Sequence, residues 1–191
     1  MTLDVVPLTA GRWDDFAALF GKQGACYGCW CTYFRLAPKQ RKANTSDDNK
    51  AFMRARVEAG PPPGLLGYAG GEAAAWMQIG PRADVPQFNN DGRVSAPLPD
   101  APVDNPAVWA ISCFFTRSSM RGQGLSHPMV AAGIAYAREN GARLLEACPM
   151  DRAKQSKSVG LYVGSTSVFE KAGFEHVARR KDGRPLMRIA L

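Results

Sequence analysis

Arg117-Ser-Ser-Met-Arg-Gly-Gln-Gly-Leu125 decides the fold, because an apolar run enters it and an amphipathic run leaves it. The entering run, Val108-Trp-Ala-Ile-Ser-Cys-Phe-Phe-Thr116, is apolar enough for a strand buried on both faces. In the leaving run, Val130, Gly133, Ile134 and Ala137 fall at i, i+3, i+4, i+7 of a helix that should stop at Gly141. A strand, a basic glycine turn and a helix start make an anion site. Glycine lets the backbone approach a ligand closely. The first free N–H groups of the helix point at the anion, and the helix dipole favours negative charge there. No Gly-Lys-Ser/Thr follows, so the turn is not a Walker loop. The third glycine and the early βαβ position of the dinucleotide fingerprint are missing as well.

Arg121-Gly-Gln-Gly-Leu125 instead resembles the pyrophosphate loop of the GNAT superfamily of acetyl-CoA-dependent N-acyltransferases. That loop reads Gln/Arg-x-x-Gly-x-Gly/Ala after the fourth strand. Gly122 and Gly124 match it, Arg121 takes the commonly basic position, and Ser119 stands where the family has Gln or Arg. Downstream, Phe169-Glu-Lys-Ala-Gly-Phe174 is similar to the Tyr-x-x-x-Gly-Phe ending of the fourth GNAT helix. The two matches and the elements between them run from Val108 to the chain's end. The resemblance implies an α/β fold: a mixed central sheet of about seven strands flanked by about four helices, in one domain over residues 1–191.

Composition agrees with a single core. The chain has 191 residues, 46% hydrophobic and 21% charged, an ordinary soluble balance. No apolar run reaches membrane-span length, and Met1-Thr-Leu-Asp-Val5 lacks the basic and apolar regions of a signal peptide. These readings give the expectation of a cytoplasmic protein, monomer or homodimer, with no membrane partner. The net charge of +7 suits a solvated basic surface or an anionic cofactor; its scattered positive residues form no nucleic-acid motif, so no nucleic-acid partner is expected. Five cysteines, an odd number, read as reduced thiols.

Along the chain, Thr2 to Leu8 reads as a strand and Arg12 to Phe20 as a short helix. Gly21 to Leu36 is a connection rich in cysteine and aromatics. Thr45-Ser-Asp-Asp starts a helix running to about Glu58, stopped by Gly60. Leu65 to Tyr68 and Glu72 to Ile79 form a hairpin about Gly70-Gly71. Pro81 to Pro106 has no periodicity; it reads either as an elaboration over one end of the sheet or as a variable surface loop. After the buried strand and its helix come a strand at Arg143 to Cys148, a helix at Ser165 to Ala172, and strands at Phe174 to Arg180 and Pro185 to Ala190. Met150 to Gly160 is a polar connection.

The resemblance implies that two central strands splay and that acetyl-CoA enters between them as cosubstrate. Its pantetheine arm would pair with the backbone of Phe114, Phe115 and Thr116, and its pyrophosphate would lie on the N–H groups of Arg121, Gly122, Gln123, Gly124, Leu125 and Ser126. The acceptor is a primary amine of a small molecule or peptide that attacks the thioester directly. An N–H near Phe114 or Phe115 would hold the oxyanion. The strand Ala107 to Thr116 carries no carboxylate, so Glu146 on the next strand is the candidate base or amine anchor, the alternative being a satisfied strand-end carboxylate. Phe169 replaces the tyrosine that in this family reprotonates the leaving thiolate. Tyr162 is then either a displaced acid or a wall residue. A CoA-binding sensor without turnover is the alternative function.

Cys26-Tyr-Gly-Cys29-Trp-Cys31-Thr-Tyr-Phe-Arg35 is the other unusual stretch. Three thiols suggest a zinc or iron–sulfur module, but the four-ligand set is incomplete and no metal is expected. The stretch resembles a GNAT subgroup carrying a Cys-Trp-Cys element, and in this family the connection between the first two helices lines the acceptor side. Trp30 and Tyr33 would form a flat wall there, and Arg35 would pair with an acidic group; the alternative is that the aromatics brace the loop against the sheet.

Overall fold

The computed structural model describes residues 3–151 and 162–191. A seven-stranded sheet is built from β1 (Asp4–Pro7), β2 (Gly64–Ala69), β3 (Glu72–Pro81), β4 (Val108–Thr116), β5 (Leu144–Ala147), β6 (Glu175–Arg179) and β7 (Pro185–Ala190). Its order is β1-β2-β3-β4-β5-β7-β6, antiparallel except where β4 runs parallel to β5. Among the described residues there are five α-helices: α1 (Trp13–Phe20), α2 (Pro38–Ala43), α3 (Ser46–Ala59), α4 (Ser126–Glu139) and α5 (Thr166–Lys171). This is the expected α/β GNAT architecture with one helix more. The extra one, α2, reads PKQRKA and buries no residue, so no apolar stripe announces it; Pro38 at its first turn starts it.

Helices cover both faces. Phe16 and Phe20 of α1 and Met53 of α3 meet Trp76 of β3 on one side. Val130 and Ala137 of α4 and Phe169 of α5 pack on Met77, Ile79 and Phe114 on the other. Gly133 lets α4 lie close to β3, since a Cβ there would collide with the Met77 methyl. The start of α3 is a capping box: Thr45 Oγ1 accepts from the Asp48 N–H at 3.2 Å, and the Asp48 carboxylate accepts from the Thr45 N–H at 2.8 Å.

The pairing of β3 with β4 slips once. Gln78 faces Cys113 and Ile79 faces Ile111, which leaves Ser112 as an extra residue on β4. A bulge of this kind bends its strand and shifts the alternation of side chains by one. Trp109 and Ile111 point to the α4 face before it; Phe114 does so after it, while Cys113 and Phe115 point to the α1 face. The parallel ladder with β5 stops at Ile111–Ala147, so β4 runs on to Thr116 with no β5 partner.

Residues 82–107 fold over one end of the sheet as the elaboration expected there, with Val85 and Phe88 packed on Ala110 and Cys148. Arg82 is fully buried and donates to Glu146 at 3.0 Å, and Arg188 of β7 binds the other Glu146 oxygen at 2.8 Å and Asp100 at 2.7 Å. Arg180 donates to the carbonyl of Ala96 at 2.7 Å. The Glu146 carboxylate thus ties β5, β7 and the long segment together. Glu146→Gln would leave the buried Arg82 guanidinium without an anion and Arg188 with Asp100 alone, a cost of about 3–5 kcal/mol. For a chain of this size the melting temperature should fall by roughly 10 °C. A fall of less than about 2 °C in a thermal melt would mean the ion pairs do not hold the segment.

Candidate active site

The glycine turn is built as the sequence predicts. β4 ends at Thr116, a single 3₁₀ turn spans Ser118–Met120, and α4 begins at Ser126. Gly122 and Gly124 have φ of 78° and 75°, a region that favours glycine. No side chain caps the start of α4, and Pro128 has no N–H to satisfy. Among the described residues, the N–H groups of Gly122 to Ser126 have no acceptor. All of these residues but Gln123 line a cavity of about 550 Å³, together with Phe114, Phe115, Thr116 and Arg121, among others. Two details correct the expectation. The Arg121 N–H donates to the Ser118 carbonyl at 3.4 Å, so the free run starts at Gly122. The Gln123 side chain turns back to the Ser119 carbonyl at 3.3 Å and does not line the cavity.

A second cavity, of about 560 Å³, lies beyond the strand. The two share Phe114, Phe115 and Tyr162. Past the bulge, the gap beside β4 is entered by Tyr162 to Ser165, which bridge to Met150. The Phe114 N–H donates to the Tyr162 carbonyl at 2.6 Å. The amide expected to hold an oxyanion therefore already has a partner. The Tyr162 ring is exposed between the cavities. Its hydroxyl is pushed up to about 12, first by its hydrogen bond with Cys26 and then by burial, so it keeps its proton at neutral pH. Phe169 is fully buried, with its ring centroid 6.0 Å from Phe114 and 5.0 Å from Phe174.

The cysteine-rich connection lines the second cavity with Cys26, Cys29, Cys31, Tyr33 and Phe34. Two of its residues expected on the wall are elsewhere. Trp30 is buried, stacked on Phe20 with centroids 5.7 Å apart, and its indole N–H donates to Ser46 at 3.0 Å. Positive φ at Ala25, Tyr27, Trp30 and Cys31 coils the chain so that this ring enters the α1 core. Arg35 is also buried. It donates to the carbonyls of Asp84 (2.9 Å) and Pro63 (3.3 Å), and its Nε donates to the Gln78 amide oxygen at 2.6 Å. The Gln78 amide nitrogen then donates to Ser112 Oγ at 2.9 Å, on the bulge itself. Arg35 is a brace and lines neither cavity. Tyr33 remains on the wall, 41% exposed, with the Arg41 guanidinium 4.0 Å from its ring centre and that of Arg93 at 5.5 Å.

Cys31 and Cys113 lie side by side. The hydrogen bond with Cys31, and then burial, push the Cys113 thiol up; burial pushes Cys31 up as well, but that same hydrogen bond and one from the Trp76 indole, at 2.9 Å, bring it down. No group of three or more described Cys, His, Asp or Glu residues is arranged to hold a metal ion. Glu146 lines neither cavity; it has no exposed surface and both its oxygens are held by arginines. It is corrected here from base to structural anchor. No carboxylate lines either cavity among the described residues. Arg41 and Arg93 were missed by sequence reasoning, because α2 has no apolar stripe and the long segment has no periodicity to orient a side chain.

The profile of the acetyltransferase (GNAT) family matches residues 29–164. The chain belongs to this family. No curated protein matches it in sequence. Three solved GNAT-like structures resemble it in fold. YncA of Salmonella typhimurium, described as a putative acetyltransferase with its cofactor acetyl-CoA, has a TM-score of 0.55 at 14% identity, over 100% of this chain and 95% of that one. The ribosomal-protein-alanine N-acetyltransferase of Brucella melitensis has 0.56 at 17%, over 98% and 99%. AAC(6')-Ib in complex with ribostamycin and coenzyme A has 0.56 at 15%, over 100% and 94%. The family match takes in the cysteine-rich connection from Cys29 onward, the bulged strand and the glycine turn. No described helix is long and apolar enough to cross a membrane.

The corrected Trp30 and the retained Tyr33 should separate by stability. Trp30→Ala should cost about 3–5 kcal/mol, whereas Tyr33→Ala should cost about 1 kcal/mol or less. Chemical denaturation of the two variants checks this. Equal losses would return Trp30 to the cavity wall.

Proposed function

We propose that the chain transfers an acetyl group from acetyl-CoA to a primary amine of a small molecule or peptide, by direct attack on the thioester. One observation carries the reading: a cavity lined by free N–H groups and a second cavity on the opposite side meet at Phe114, Phe115 and Tyr162. The first fits a long anionic cosubstrate, with the amides of Gly122 to Ser126 taking its pyrophosphate and the stretch of β4 beyond its β5 ladder, where Tyr162 now pairs with Phe114, taking its extended arm. The second receives the amine. Holding both reactants at one junction supplies much of the rate by orientation alone.

When bound, acetyl-CoA supplies an activated acyl group and a thiolate leaving group. The chain's residues do the rest. Tyr162 holds a proton on its hydroxyl at neutral pH, beside the junction, and is placed to deliver it to the departing sulfur. Phe169 packs behind Phe114 and has no proton to give. Without a carboxylate in the described lining, the amine loses its proton to water, and the phenol acts on the leaving side alone. The Phe114 N–H reaches an oxyanion once Tyr162's carbonyl gives way.

The reading is tested by melting the protein with acetyl-CoA, with CoA and with neither, then following acetyl transfer to a panel of amines by mass. A ligand at about 100 times its dissociation constant should add about 2.7 kcal/mol. No shift with either nucleotide would defeat the reading; a shift without transfer to any amine would favour a CoA-binding sensor. Tyr162→Phe should lower kcat by up to about 10²-fold, the low end of acid catalysis, with acetyl-CoA affinity unchanged. Unchanged kcat would return Tyr162 to the wall. With no enzymic base, kcat/KM should climb with pH towards the acceptor's own amine pKa, not level off at a carboxylate's.

A further inference from the structure

The acceptor cavity carries charge of one sign. Arg41, Arg93 and Arg184 line it, and among its described lining residues there is no aspartate or glutamate. The three come from α2, from the long segment over the sheet and from the turn between β6 and β7, so three separate parts of the chain converge. None of them lines the cavity of the glycine turn. No salt bridge among the described residues engages any of them.

Their guanidinium groups are also oriented. Arg41 lies over the Tyr33 ring and donates one N–H to the Tyr33 carbonyl at 3.0 Å. Arg93 sits 5.5 Å from the ring centres of both Tyr33 and Phe34. Stacking occupies the face of a guanidinium and leaves its N–H edge for a planar or tetrahedral oxyanion. Arg184 is held by the carbonyls of Cys148 and Pro149, each at 3.1 Å. A concave, half-apolar site lined by fixed charges of one sign focuses its field on the ligand.

We infer that the acceptor is an amine that also carries an oxyanion, a carboxylate or a phosphate, seated against Arg41 and Arg93, with the amine reaching the junction at Tyr162. This rests on the acetyltransferase reading above. An apolar body would lie on Tyr33 and Phe34, and about 560 Å³ accommodates a molecule of amino-acid to dipeptide size. The same charges disfavour polyamines and aminoglycosides, which bring further cations into a site with no carboxylate to meet them.

The test is calorimetric binding of matched pairs, with and without CoA: L-phenylalanine against its amide, and 2-aminoethyl phosphate against ethanolamine, with spermidine as the polycation. The oxyanion member of at least one pair should bind about 10- to 100-fold more tightly. Whichever pair shows the larger gain identifies carboxylate or phosphate as the group. Arg41→Gln and Arg93→Gln should each shrink the ratio, and Arg93→Lys, which keeps charge without the fork, should restore part of it. Raising salt should shrink it in the unaltered protein, which needs no variant to fold. The inference is overturned if the members without an oxyanion or spermidine bind as tightly, if salt leaves the ratio unchanged, or if no oxyanion probe binds at millimolar concentration. A separate acetyl-CoA titration tells the two failures apart. If acetyl-CoA does not bind, the acetyltransferase reading falls, while the amine pairs still report the charge preference of the cavity.

Discussion

A buried guanidinium holds the centre of this molecule open. Arg35 donates to Gln78, and Gln78 donates to Ser112, the extra residue of the β4 bulge. All three are buried, so each polar atom left without its partner would cost free energy. The bulge does two things at once. It turns Cys113 and Phe115 towards the acceptor cavity, and it marks where β4 parts from β5. Both cavities, and the point where they meet, depend on that one extra residue.

Charge is divided between two tasks. The Glu146 pairing with Arg82 and Arg188 is sealed from water and serves architecture, fastening the long segment over the sheet. The described lining of the cavities has no carboxylate; N–H donors, a protonated phenol and guanidinium groups stand there among hydroxyl, amide, thiol and imidazole side chains. Such a lining suits ligands that bring negative charge with them. It also offers no carboxylate there to take up a proton.

The fold was legible because its signals are local. The glycine turn, the capping box at Thr45 and the Phe-x-x-x-Gly-Phe ending each lie within a few residues, and the strands between them are strongly apolar. The site was legible only where backbone does the binding. Glu146 read as a base because its partners, Arg82 and Arg188, stand 64 and 42 residues away and no spacing rule connects them. Trp30 and Arg35 read as wall residues because an aromatic, basic loop gives no sign of which side chains its left-handed turns send inward. Arg41 and Arg93 carried no signal at all, since their position depends on how two unpatterned segments lie over the sheet.

The bond between the Phe114 amide and the Tyr162 carbonyl has a thermodynamic consequence. An amide has one hydrogen to give, so a cosubstrate that accepts from it, through its arm or through an oxyanion, replaces a bond and does not add one. The exchange is nearly neutral in energy. Occupancy of the slot is then governed by contacts at its two ends, and the resident segment stands ready to reclaim the amide when the arm withdraws. The Phe114 amide then has an acceptor whether the slot is full or empty, and an arm entering there would exchange places with an internal partner.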